Sequence, residues 1–141
     1  MNVPRLIITI IVLTVFISAY NFVAHGLILG KAYGETADSW RPMDEMMSRM
    51  WLQYLLFFII AIGMSLLWTR AFPGGDLKTG FIYGVFIALI TAPGMMMNFV
   101  HMPTPDRFAL PWAIIGVVGP ILMGILLSFV YKPKPKTEQG G

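Results

Sequence analysis

Leu6 to Leu29 reads L-I-I-T-I-I-V-L-T-V-F-I-S-A-Y-N-F-V-A-H-G-L-I-L, a run with no Asp, Glu, Lys or Arg. Wound as a helix at 1.5 Å per residue it covers about 36 Å, more than the roughly 30 Å of hydrocarbon in a bilayer. Trp51–Trp68, Phe81–Val100 and Trp112–Tyr131 are free of charge in the same way. The chain of 141 residues therefore predicts one all-α domain, a polytopic four-transmembrane-helix bundle over 1–131, with spans at about 6–29, 51–69, 80–100 and 112–131. Residues 132–141, K-P-K-P-K-T-E-Q-G-G, read as a disordered basic tail. Composition agrees: 57% of residues are hydrophobic and 12% charged, against about a quarter charged in a soluble domain.

The loop charges set the orientation. Arg5, Arg70, Lys78, Lys132, Lys134 and Lys136, with Asp76 and Glu138, fall on one side of such a bundle. Lys31, Arg41, Arg49 and Arg107 fall on the other, outnumbered by Glu35, Asp38, Asp44, Glu45 and Asp106. The positive-inside rule then puts both termini in the cytoplasm and both histidines, His25 and His101, at the outer rim. A cleaved signal peptide is the competing reading of the N-terminus. The first run is longer than a signal core, and no A-x-A pattern follows Ser18-Ala19.

Several chemistries are excluded or disfavoured. With no cysteine there are no disulfides, thiolate metal sites or thiol nucleophiles. The spans hold no Asp, Glu, Lys or Arg, the groups that proton-coupled pumps, ion-coupled transporters and voltage sensors normally place there. The turn A-F-P-G-G-D-L-K-T-G lacks the G-K-[ST] ending of a phosphate-binding loop, because Leu77 precedes Lys78. No clear Ser-His-Asp set is evident, although the loop acids Asp38, Asp44, Glu45 and Asp106 could approach His25 or His101, so an enzyme is disfavoured without being excluded; the basic balance belongs to the membrane surface instead of nucleic acid.

Within the spans three patterns stand out. Thr14, Ser18, Asn21 and His25 share one face of the first helix; a polar stripe of this kind turns toward other helices or, in an oligomer, lines a path for a small solute. Gly80, Gly84, Ala88 and Ala92 recur every fourth residue in the third span, and Gly116, Pro120, Gly124 and Ser128 do so in the fourth. Small residues at this spacing let helix backbones approach closely, so the third and fourth spans should form a tight antiparallel pair, or else a homo-oligomeric contact. Pro93 and Pro120 are expected to bend these helices. Third, Pro42 should open a helix that continues without a break into the second span, with Met43, Met46, Met47, Met50 and Tyr54 on one face.

The densest chemistry lies in T-A-P-G-M-M-M-N-F-V-H-M, from Thr91 to Met102. It parallels T-V-F-I-S-A-Y-N-F-V-A-H, from Thr14: both contain Asn-Phe-Val seven residues after a Thr, with a His just beyond. A two-fold parallel repeat, the first two helices against the last two, is one account of this, and chance is the other. Asn21, His25, Asn98 and His101 would reach the same depth, with Met95, Met96, Met97 and Met102 nearby. Imidazole and thioether suit copper, and two imidazoles can hold one haem b iron, so His25, His101, Met95, Met97 and Met102 are the candidate metal or haem ligands.

H-G-L-I-L-G from His25 and W-R-P-M-D-E-M from Trp40, followed by three apolar spans, resemble a loose group of small four-helix proteins of the bacterial inner membrane. The resemblance implies that fold and that membrane, and it carries no activity or functional residues. The function expected is structural or accessory, through contacts with itself or a larger membrane complex. A copper or haem protein and a small-solute permease formed by oligomerisation are the alternatives.

Overall fold

A computed structural model describes residues 2–133; the remainder of the tail read as disordered, 134–141, lies outside them. The described residues are all-helical, and four helical stretches are long and apolar enough to cross a membrane: Val3–Ile28, Met50–Ala71, Leu77–His101 and Asp106–Val130. Each exceeds its sequence-derived span by a few residues, because polar end residues such as Arg5 and Lys78 continue the helical hydrogen bonding.

Helix α1 (Val3–Asn21) is capped by the Asn2 side chain, which accepts from the Arg5 N–H at 3.3 Å. It runs directly into a π-helical stretch, Phe22–Ile28. The short α2 (Gly30–Gly34) and a 3₁₀ turn at Ala37–Ser39 lead to α3 (Met43–Ser48) and α4 (Met50–Ala71). A tight turn, with Gly74 at φ 79° where a side chain would be strained, leads to α5 (Leu77–His101). Asp76 caps α5, accepting from the Thr79 N–H at 2.9 Å and from its hydroxyl at 2.7 Å. These bonds, side chain before backbone, hold the Asp76 carboxyl below its ordinary pKa. A 3₁₀ turn at Asp106–Phe108 precedes α6 (Ala109–Val130). Pro93 and Pro120 both lie inside continuous helix.

The helix expected to run unbroken from Pro42 is interrupted at Arg49, whose φ and ψ are −106° and 1°. The Ser48 hydroxyl donates to the Glu45 carbonyl at 2.8 Å, the acceptor that the Arg49 N–H would take in an α-helix. Arg49 N–H bonds to Met46 O instead, at 3.0 Å. Such local side-chain bonds compete with the helical ladder. The Arg41 and Arg49 guanidinium groups close on Glu45 at 3.4 and 3.1 Å.

The two ends of the described chain meet at one end of the bundle, where the Asn2 N–H donates to Tyr131 Oη at 3.2 Å and the Asn2 side-chain amide donates to Lys132 O at 3.3 Å. The core sits toward this terminal end. Leu6, Leu13 and Ile17 of α1 pack with Ala61, Met64 and Trp68 of α4, Tyr83 of α5, and Met123 and Leu127 of α6. Tyr83 Oη donates to Met64 O at 2.8 Å, joining α5 to α4. Two fully buried polar atoms, Ser65 Oγ and Trp68 Nε1, have no hydrogen-bond partner among the described residues.

α5 and α6 meet backbone to backbone. A Cβ placed on Gly84 would fall 2.5 Å from Ile121 Cα and 2.6 Å from Pro120 O, and one on Gly124 would fall 2.7 Å from Gly84 N and against Gly80 O. α4 joins the others differently. Ala61, Met64, Ser65, Trp68 and Thr69 are buried, but of Met50 to Ile60 only Met50 and Phe57 are even half-buried.

Candidate ligand cavity at the histidine end

At the end opposite the termini, the last turns of the first span leave the α-helical ladder. In the π segment the N–H of each turn reaches one residue further, as in Leu29 N–H to Ala24 O at 3.1 Å. Such segments are rare and concentrate at functional sites.

His25 Nδ1 and Tyr33 Oη are 2.7 Å apart. Trp112 Nε1 donates to the same hydroxyl oxygen at 2.8 Å, across 79 positions of sequence. An indole N–H can only donate, so Tyr33 Oη accepts there. Its remaining capacity lets it donate its proton to Nδ1 or accept one from it, leaving His25 Nε2 a donor in the first case and an acceptor in the second. Tyr33 is stacked on Phe108 at 4.8 Å between centroids, and Trp40 stands edge-on to both rings. Burial raises the Tyr33 pKa, and the Trp112 hydrogen bond partly offsets this. Arg107 fastens the loop by donating to Glu35 at 2.9 Å and to Ala32 O at 2.6 Å. The Gly30–Ser39 segment is thus a packed cover with an aromatic underside.

Next to His25 an open cavity of about 190 Å³ lies between α1, α5 and α6. Asn21 and His25 of the first span, Thr91 and Met95 of α5, and Gly116 and Met123 of α6 all face it. Met95 Sδ lies 3.3 Å from where a Gly116 Cβ would be, so this glycine leaves room for the thioether. No acidic or permanently charged side chain lines the space. Pro120 has no N–H, so the Gly116 carbonyl lacks its usual helical donor.

The structure gathers only part of the group expected from sequence. His25, Asn21 and Met95 share the cavity. His101, Asn98, Met97 and Met102 are exposed and do not line it. Met96 faces a separate, wholly apolar groove of about 400 Å³ between α5 and α6. The polar stripe of α1 turns largely onto its own helix: Thr14 donates to Ile10 O at 2.8 Å, Ser18 to Thr14 O at 2.9 Å and Asn21 to Ile17 O at 2.9 Å. Of the small residues, Gly80, Gly84, Ala88, Gly124 and Ser128 are buried, and Ala92, Gly116 and Pro120 are half-buried. No sequence pattern singles out Tyr33, Trp112 or Met123. Tyr33 lies in a loop that reads as polar, and Trp112 marks only the start of a charge-free run.

Among the described residues no three His, Cys, Asp or Glu side chains stand together as a metal site. The chain matches no family model, no curated protein and no solved structure.

Proposed function

We propose that this is an accessory protein of the bacterial inner membrane, with both termini cytoplasmic, that works by helix–helix contact with a larger membrane complex or a second copy of itself. The loop charges support the orientation. The observation that carries the contact role is the half of α4 nearest the histidine end. From Trp51 to Ile60 it has almost no partner within the described chain, and Gln53 stands exposed on it. A carboxamide at the edge of hydrocarbon is best satisfied by a neighbouring helix or interfacial water. The small-residue faces of α5 and α6 are largely taken up by each other, which favours the exposed half of α4 as the contact surface.

The absence of cysteine makes the test clean. Gln53→Cys and Ile60→Cys, oxidised in native membranes, are expected to cross-link to a second copy or to another membrane protein. Val15→Cys on exposed α1 is expected to remain uncoupled. Monomer at all three positions, or equal coupling at all three, contradicts the role.

A further inference from the structure

We infer that the rim where the two ends of the described chain meet is a docking surface for anionic phospholipid headgroups, held by Arg5, Arg70, Lys78 and Lys132. It lies at the opposite end of the bundle from the free half of α4, and it holds whether or not that half has a partner.

First, the fold gathers these four cations at one end. Arg5 stands in the first turn of α1, Arg70 in the last turn of α4, Lys78 in the first turn of α5, and Lys132 just after α6. The Asn2 side chain links two of them, accepting from the Arg5 N–H and donating to the Lys132 carbonyl, each at 3.3 Å. The turn that Arg70 and Lys78 flank closes on the neighbouring residue: a Cβ on Gly74 would lie 3.2 Å from the Pro133 ring.

Second, the two ends of the bundle treat their cations differently. At the histidine end Arg41 and Arg49 pair with Glu45 and Arg107 pairs with Glu35, leaving only Lys31 without a carboxylate among the described residues. At the terminal rim all four cations are exposed, and none has a carboxylate partner among the described residues. The Lys132 ammonium reaches the Ser128 carbonyl at 3.1 Å. Asp76, the one acid described there, is turned onto Thr79 as a cap.

Third, α1 and α5 carry no acidic residue in their first turns, where Arg5 and Lys78 stand. A cation is unfavourable at the positive end of a helix dipole, and an anion close by offsets both charges.

The placement favours lipid over a protein anion. Each cation lies within two residues of the end of a membrane-spanning stretch, the depth from which long basic side chains reach the headgroups. There is one for each span, so they are distributed round the bundle as a shell of lipid is. A single acidic segment would need them together on one side. A Lys or Arg held at an anionic surface strengthens binding about fivefold, and the effect fades beyond a Debye length.

The test uses the full chain reconstituted in phosphatidylcholine bilayers with a trace of spin-labelled phosphatidylglycerol or spin-labelled phosphatidylcholine. Electron paramagnetic resonance measures the share of each label immobilised at the protein. The wild type is expected to prefer phosphatidylglycerol about fivefold at low salt. It should lose the preference in about 1 M NaCl, where the Debye length is about 3 Å. Arg5→Gln, Arg70→Gln, Lys78→Gln and Lys132→Gln combined are expected to bring the two lipids within about twofold of each other. Arg41→Gln with Arg49→Gln, and separately Arg5→Lys with Arg70→Lys, should keep the wild-type preference. Equal immobilisation of the two lipids by the wild type overturns the inference without recourse to any variant. A preference that survives the combined substitution overturns it too. Displacement of the phosphatidylglycerol by poly-glutamate at matched charge assigns the rim to an acidic protein segment instead.

Discussion

The two hairpins of this chain, α1 with α4 and α5 with α6, are built of equally apolar helices but are joined in opposite ways. α5 and α6 touch along their length because Gly80, Gly84 and Gly124 remove the side chains that would hold their backbones apart. α4 offers no such surface toward the histidine end, where W-L-Q-Y-L-L-F-F-I-I presents bulky side chains all round. It joins the core from Phe57 onward, where Ala61, Ser65 and Thr69 allow closer approach and Trp68 fills the space left. Lipid is as apolar as leucine, so hydrophobicity alone brings no two helices together in a bilayer; fit does. The difference between the hairpins is one of shape and not of greasiness.

That comparison can be broken at several points. Trp68 is wholly buried at the junction of α1, α4 and α5, and its indole N–H has no partner to lose among the described residues. Trp68→Ala should cost about 3–5 kcal/mol through packing alone and release α4 before the α5–α6 pair, read as two steps in SDS-induced unfolding followed by circular dichroism. A single cooperative loss would show that the hairpins are not separable. Gly84→Ala should cost about 1–3 kcal/mol, because its methyl group meets the α6 backbone with nothing flexible to move aside. Gly63→Ala on α4, where a Cβ meets nothing within 4 Å, should instead be neutral or stabilise by about 0.4–1 kcal/mol. Equal effects at the two glycines would erase the distinction.

The smallest expected effect is at the α4–α5 turn. Asp76 has a depressed pKa because it caps Thr79. A carboxyl with a lower pKa when folded than when unfolded stabilises the fold above its unfolded pKa, and that contribution disappears as pH falls through the folded value. Asp76→Ala should therefore lower the melting temperature slightly at neutral pH and leave it unchanged once the carboxyl is protonated in both states. A deficit that persists in acid would mean that the cap acts without its charge.

The four helices are legible from sequence because a charge-free run of about 20 residues matches the thickness of hydrocarbon that a helix must cross. The close approach of Gly84 to α6 follows from the four-residue spacing, since that spacing is a direct statement about one helical face. Features that depend on competition between bonds are not legible. The break at Arg49 arises when the Ser48 hydroxyl claims the Glu45 carbonyl, and the π turn at His25 is one winding chosen over another of similar composition. The candidate site is half legible. Asn21, His25 and Met95 follow from depth and periodicity, but Tyr33 becomes relevant only when its loop folds over α6 and meets Trp112. Met123 becomes relevant only when α6 is rotated against α1. By sequence His101 is the equal of His25, yet it stands at an exposed helix end without an aromatic cover.

The claim on which the rest depends is that α4 is anchored at one end only. Spin labels on cysteines introduced at Leu56 and Ile90, compared with a pair at Ile90 and Val118, measure it directly in the cysteine-free chain reconstituted alone in bilayers. Double electron–electron resonance should give a narrow distance distribution between α5 and α6 and a broad one between α4 and α5. Two equally narrow distributions would mean that α4 is held along its whole length, and its free half would no longer be available to a partner.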